Sequence, residues 1–203
     1  MTNLSHPTLS SVLGTALLLA SPDPAFARDL YRIDPTHSQV GFRVRHLVTR
    51  VPGEFRVFEG TLEVDGQDLS RSSVAVTIQA ASVDTRLEAR DNHLRSADFF
   101  DAERHPLITF RSTRVVDRGQ GRLEVTGDLT IKGITRPVTL AAMSLGAVRT
   151  PFKDTRAGFE GTVKVNRKDF GMNWNLPLDL GGTVLGEEVE ISLAVEAIKQ
   201  EAP

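Results

Sequence analysis

Four histidines lie in the body of the chain, His37, His46, His93 and His105. Imidazole titrates near neutral pH and binds metals, so these are the first residues to weigh for chemistry. None sits in an HExxH or His-x-His pair. Asp101, Glu103 and His105 would share a face of an extended strand and imitate a metal site. Pro106 follows at once, so the stretch reads better as a turn. Arg90, Asp91 and His93 fall close together with no evident nucleophile beside them, which suits a cap or an ion pair better than a catalytic set. The chain has no Gly-x-Ser-x-Gly elbow, no P-loop, no Gly-x-Gly-x-x-Gly and no cysteine. The expectation is no catalytic residue, no metal and no cofactor. A hydrolase or metal-dependent enzyme built on Arg90, Asp91, His93 and His105 is the competing reading.

Whatever these residues do, they must be positioned by elements written in period two. Val40, Phe42 and Val44 alternate with Gly41, Arg43 and Arg45, and Val74, Val76 and Ile78 with Ala75, Thr77 and Gln79. Leu123, Val125, Leu129 and Ile131 share one phase, broken by Gly127; Val189, Ile191, Leu193 and Val195 share another. Strict alternation gives each strand one apolar and one wet face. Asp65-Gly66, Gly119-Gln120-Gly121, Lys132-Gly133 and Gly181-Gly182 mark turns between such runs. Many short strands joined by tight turns predict an antiparallel sandwich or barrel.

One segment leaves the period. Thr85-Arg86-Leu87-Glu88 matches a capping box, which predicts a helix over 86–95 with Leu87 and Leu94 on one face. Ser96-Ala97-Asp98 then leads to Phe99-Phe100, and Pro106 ends the insert before a strand at Leu107–Thr113. Thr36-His37-Ser38 reads as a turn leading into the first long strand, with Asp34 and Ser38 bonding backbone amides.

A closed eight-stranded sheet is just wide enough for side chains or one slim ligand. The inward candidates are Val40, Phe42, Val44, Val76, Ile78, Phe110, Leu129, Ile131 and Phe159, with Leu94 and Phe99 from the insert and Met172 and Trp174 near a mouth. With ten Phe against one Trp and one Tyr, such an interior suits a hydrocarbon chain. The other reading is a filled barrel, a ligand-free stress or interaction protein. Arg90 and His93 are the candidates for a polar head-group contact, since both side chains donate hydrogen bonds.

Lys and Arg number 24 against 26 Asp and Glu, a balance that gives no reason to expect nucleic acid as a partner. Residues 1–27 read as a signal peptide, with the short apolar run Val12–Ala20, Pro22 and Pro24, and Ala25-Phe26-Ala27 as the cleavage pattern. Cleavage after Ala27 leaves a mature domain of residues 28–203, and no Lys or Arg precedes Arg28 to supply the usual positive start.

The body of the chain also resembles the YceI-like polyisoprenoid-binding family. The likeness is carried by Ile33-Asp34-Pro35-Thr36-His37-Ser38, by Val51-Pro52-Gly53-Glu54-Phe55 and, most specifically, by Arg90-Asp91-Asn92-His93-Leu94-Arg95-Ser96-Ala97-Asp98-Phe99-Phe100-Asp101. Thr126 to Gly133, Arg167 to Met172 and Gly186 to Ile191 continue it in order, from about Tyr31 to Ala197. The resemblance implies an extended eight-stranded antiparallel, lipocalin-like barrel with a short helical insert. It implies an isoprenoid lipid in the lumen, an isoprenoid quinone or a polyprenyl phosphate, and no enzymatic activity. It further implies a periplasmic location, homodimers in many relatives, and a membrane cytochrome b561-type partner in some.

Overall fold

The computed structural model describes residues 28–201; the expected signal peptide, residues 1–27, lies outside them. The strands are β1 (Asp29–Ile33), β2 (Gln39–His46), β3 (Thr49–Phe55), β4 (Phe58–Val64), β5 (Ser73–Gln79), β6 (Val83–Asp84), β7 (Leu107–Asp117), β8 (Arg122–Ile131), β9 (Ile134–Arg149), β10 (Thr155–Asn166) and β11 (Leu185–Lys199). One helix, α1 (Glu88–Arg95), interrupts them, and short 3-10 turns occupy Leu69–Arg71, Ala80–Ser82 and Arg167–Phe170. No helix among the described residues is long and apolar enough to cross a membrane.

Eight strands form the expected closed antiparallel barrel, in the order β1-β4-β5-β7-β8-β9-β10-β11. Tyr31↔Lys199, Arg32↔Ile198 and Ile33↔Ala197 join β11 back to β1 and shut the ring. Beyond that seam β11 pairs with β2 instead, through Ala194↔Gln39 to Leu185↔His46, so β2 and β3 extend the wall at one end. There β3 meets only the two residues of β6, and α1 follows directly.

Alternation explains the packing. Along β8, Leu123, Val125, Gly127, Leu129 and Ile131 are all buried while the residues between them are not. Gly127 belongs in that row because the Phe110 ring lies over it; a Cβ there would stand 2.5 Å from Phe110 Cζ and 2.5 Å from the Arg111 carbonyl oxygen. Phe42 lies over its cross-strand partner Gly53 in the same way. Two glycines thus make room for two lumen rings.

Three local expectations are corrected. Strand β7 runs on past Thr113 to Asp117, because a bulge between Ser112 and Arg114 absorbs the irregularity instead of ending the strand. The helix starts at Glu88 rather than Arg86, since Arg86 takes a positive φ of 65° and donates its N–H to the Asp84 carboxylate. The capping box does not form: the Thr85 N–H and hydroxyl both donate to Asp91 Oδ1, at 2.9 and 2.5 Å. Leu87 is left as the N-cap, 53% exposed, and does not join Leu94.

The turn between β1 and β2 follows the sequence closely. Asp34 Oδ1 accepts from the Thr36 N–H and hydroxyl at 3.0 and 2.6 Å. Ser38 Oγ donates to the Glu196 carbonyl and accepts from the Glu196 N–H. Asp34 Oδ2 faces His37 Nδ1 at 2.8 Å and Arg156 Nη1 at 3.2 Å, and Arg156 also pairs with Glu196 and Asp154. The bonds from Thr36 and then His37 hold the Asp34 carboxyl at about 2, below its usual 3.8. A depressed carboxylate stabilises the fold above its unfolded pKa and loses that contribution as pH falls through the folded one. Asp34 therefore supplies about 2 kcal/mol that is present above roughly pH 4 and gone near pH 2. Asp34→Asn is expected to lower stability at pH 7 by about that amount and to flatten this acid limb. Urea unfolding of both proteins across pH 2–7 checks it; parallel curves would show that the turn does not depend on the charge.

Candidate functional site

The lumen contains a cavity of about 510 Å³ beneath the helical insert. A smaller chamber of about 130 Å³ lies toward the other end, sharing Ile33, Val76, Phe110, Leu140, Leu193 and Val195 with the first. The larger volume falls in the range of small-molecule sites. Val40, Phe42 and Val44 of β2, Val76 and Ile78 of β5, Phe110 of β7, and Leu129 and Ile131 of β8 all face it, as do Leu94, Phe99, Met172 and Trp174. Phe159 faces only the smaller chamber. It is on the inward face of β10, but four residues from Val163, which at 3.3 Å per residue places it about 13 Å further along the strand.

Several wall residues lie outside the inward set expected from the sequence. The β11 row Val189, Ile191, Leu193 and Val195 shows the same alternation and was open to detection. Phe55 and Phe58 flank a kink, where period counting loses phase, and Arg167 carries no apolar signal at all.

The insert roofs the cavity with Ala89, Arg90, His93, Leu94, Phe99 and Phe100. Its rings interlock edge to face: His93 stands 4.8 Å from Trp174 and 5.0 Å from Phe99, both at 87°. Such contacts fix the roof by geometry as well as by area. Lys132 Nζ donates to the Ala97 carbonyl at 2.6 Å, tying the insert to the β8–β9 turn, and Arg95 donates to the carbonyls of Ala81 and Val83.

Both head-group candidates reach the cavity wall with donors engaged by protein. Arg90 gives Nε to Thr85 Oγ1 and Nη2 to the Thr85 carbonyl, each at 2.6 Å. His93 Nε2 meets Asp98 Oδ2 at 2.9 Å. Arg90 and Asp91 are thus joined through Thr85, which binds both. Asp101, Glu103 and His105 lie in the turn that their sequence suggested, where Arg104 grips the buried Asp101 carboxylate and holds its pKa down. Among the described residues, three ligand-type groups converge at Asp34, His37 and Glu196, where Arg156 pairs with both carboxylates.

The model of the YceI-like domain matches residues 31–197. The chain belongs to the YceI-like family. This YceI-like chain is 40% identical over 200 residues to a UPF0312 protein of Ectopseudomonas mendocina (strain ymp), covering 97% of this chain and 100% of that one. Its fold matches that of Burkholderia cenocepacia BcnA with a TM-score of 0.71 at 23% identity, over 81% of this chain and 98% of BcnA. It also matches a polyisoprenoid binding domain from Saccharophagus degradans, with a TM-score of 0.59 at 17% identity, over 85% of this chain and 98% of that domain.

Thr85 is where the roof of this YceI-like barrel is fastened. Thr85→Val keeps the shape but removes the hydroxyl that serves both Asp91, 6% exposed, and Arg90. The expected cost is about 1–3 kcal/mol, since buried polar groups lose a partner. That corresponds to a fall in Tm of roughly 2–12 °C for a chain of this size. Calorimetry checks it, and an unchanged Tm would mean that the insert is held by its rings alone.

Proposed function

We propose that the protein binds a long-chain isoprenoid lipid, an isoprenoid quinone or a polyprenyl phosphate, and carries or sequesters it with the tail in the lumen. The observation that carries this reading is the wall of the larger cavity. It is built from aliphatic and phenyl side chains, with polar groups gathered under the insert at His46, Thr85, Arg90, His93 and Arg167. That division matches an amphiphile whose tail is long and whose head is small. Tail burial would supply most of the affinity, at about 25 cal/mol per Å² of apolar area. The Saccharophagus degradans neighbour, a polyisoprenoid binding domain, supports the same choice of ligand.

The reading is of a binding protein rather than an enzyme. A carrier holds its ligand without covalent chemistry, and Arg90 Nε and Nη2 are already engaged by Thr85 and His93 Nε2 by Asp98. Export belongs to the same proposal, supported by the leader-like composition of residues 1–27. Amino-terminal sequencing of the protein recovered from cells is expected to begin at Arg28; a protein that keeps its leader and stays in the cytoplasm would sink this part.

Native mass spectrometry of protein purified from cells tests the ligand. A co-purifying, solvent-extractable isoprenoid is expected in the wild type. Phe42→Asp puts a carboxylate in the apolar wall, at a cost of several kcal/mol unless it is neutralised, and is expected to lose that mass. A wild type that carries nothing and takes up no added polyprenyl lipid would favour the alternative of a ligand-free stress or interaction protein.

A further inference from the structure

We infer that Arg167 receives the anionic head group, a phosphate or a carboxylate, of the amphiphile whose tail fills the lumen. The inference rests on the lipid-binding reading and adds to it the residue and the charge class of the head.

Arg167 follows β10 where the barrel wall divides. The ladder between β9 and β10 ends at Thr162↔Ala141, and beyond it β10 continues with β11 alone as far as Asn166↔Glu188. The 3-10 turn Arg167–Phe170 closes the gap, with Asn166 Oδ1 capping it through the Lys168 N–H at 2.9 Å. The Arg167 side chain turns inward and forms part of the wall of the larger cavity, only 2% exposed.

Its partners are neutral and incomplete. Nε donates to the Gly186 carbonyl at 2.9 Å and Nη1 to the Met172 carbonyl, while Nη2 has no partner. Among the described residues no carboxylate forms a salt bridge with it, and the adjacent Glu187 is paired with Lys168. Burial pushes the guanidinium down from its ordinary value, with Glu187 opposing. A guanidinium nevertheless stays protonated in proteins. The lumen wall therefore contains a cation with two carbonyl contacts, no carboxylate within salt-bridge distance among the described residues, and an unused donor.

Such an arrangement is costly unless something completes it, because a buried charge without a partner loses its hydration for nothing in return. The two carbonyls fix the plane of the fork and leave the Nη2 hydrogens for an outside acceptor. A quinone carbonyl would satisfy the hydrogen bond alone. A phosphate or carboxylate oxygen satisfies the bond and the charge together, and charge-assisted bonds of this kind are the stronger ones. Nη2 is itself covered, so the acceptor reaches it as neighbouring side chains turn aside. Arg90 and His93 line the same cavity, but their bonds to Thr85 and Asp98 make them the weaker claimants.

The test uses delipidated protein and three probes: geranylgeranyl phosphate, geranylgeraniol and inorganic phosphate, with binding read by calorimetry. Wild type is expected to bind the phosphate ester at least tenfold more tightly than the alcohol, and inorganic phosphate not measurably. Arg167→Gln is expected to bind both lipids with the affinity of the alcohol. Equal affinity for the two lipids in wild type would overturn the head-group assignment and leave lipid binding standing. A preference that survives in Arg167→Gln would overturn it too, by placing the head elsewhere. Inorganic phosphate binding as tightly as the ester would mean a free-anion site and overturn the link to the tail. Binding of none of the three would remove the lipid-binding reading and this inference together. Should Arg167→Gln fail to fold, the side-chain ¹⁵N signals of wild-type Arg167 decide instead. They are expected to shift with the ester and not the alcohol, and signals that stay unmoved by the ester would overturn the assignment.

Discussion

A charge placed inside an apolar barrel loses its hydration, and the protein must then hold it by other means. That constraint orders the polar groups of this molecule. Thr85 stands between Asp91 and Arg90 and bonds to both, so an acid and a base share one hydroxyl at the edge of the lumen. Arg104 performs the same service for Asp101, and Arg156 for Asp34, both outside the cavity wall. Among the described residues, Arg167 alone of the buried charged groups is answered by backbone carbonyls.

For the proposed amphiphile, tail and head are accordingly separate problems. The hydrocarbon wall comes from inward residues of strands that lie far apart in sequence, and closing the ring brings them together. The polar end comes from Thr85, Arg90 and His93 at the insert, Arg167 in the 3-10 turn after β10, and His46 at the end of β2. Apolar area gives affinity without direction, while a few placed donors give orientation. A barrel that is regular at one end and irregular at the other therefore has the polarity that the proposed amphiphile requires.

Much of this was legible in the sequence, for a physical reason: alternation reports which face is buried. Twelve of the thirteen expected wall residues face the larger cavity, and Phe159 faces the smaller chamber beside it. Lys132-Gly133 and Gly119-Gln120-Gly121 fell where φ is positive throughout, as their composition required. The misses came where side chains compete for partners. Thr85 had the sequence of an N-cap, but Asp91 accepted its hydroxyl and the helix began later. Thr113 looked like a strand end because a bulge and a terminus interrupt the period alike. Arg167 was invisible as a lumen residue because an arginine at the end of a strand ordinarily marks a wet position, and its burial depends on Gly186 and Met172, distant in the chain or beyond a turn.

The division of the wall has one more consequence. A barrel normally protects itself by having no edges, yet several stretches of this one lack a strand on one side, and two of them contain a proline. The outer side of β3 meets β6 at Glu54 and Phe55 only, and β9 has no β10 partner from Ile134 to Leu140. Each stretch contains a proline, Pro52 and Pro137, and in both cases the ladder on the other side runs through it unbroken, opposite Arg43 and Asp128. The missing N–H therefore falls on the open side. A strand from another molecule would find no continuous row of donors at either place. These two open stretches of the wall are thereby protected from edge-to-edge aggregation.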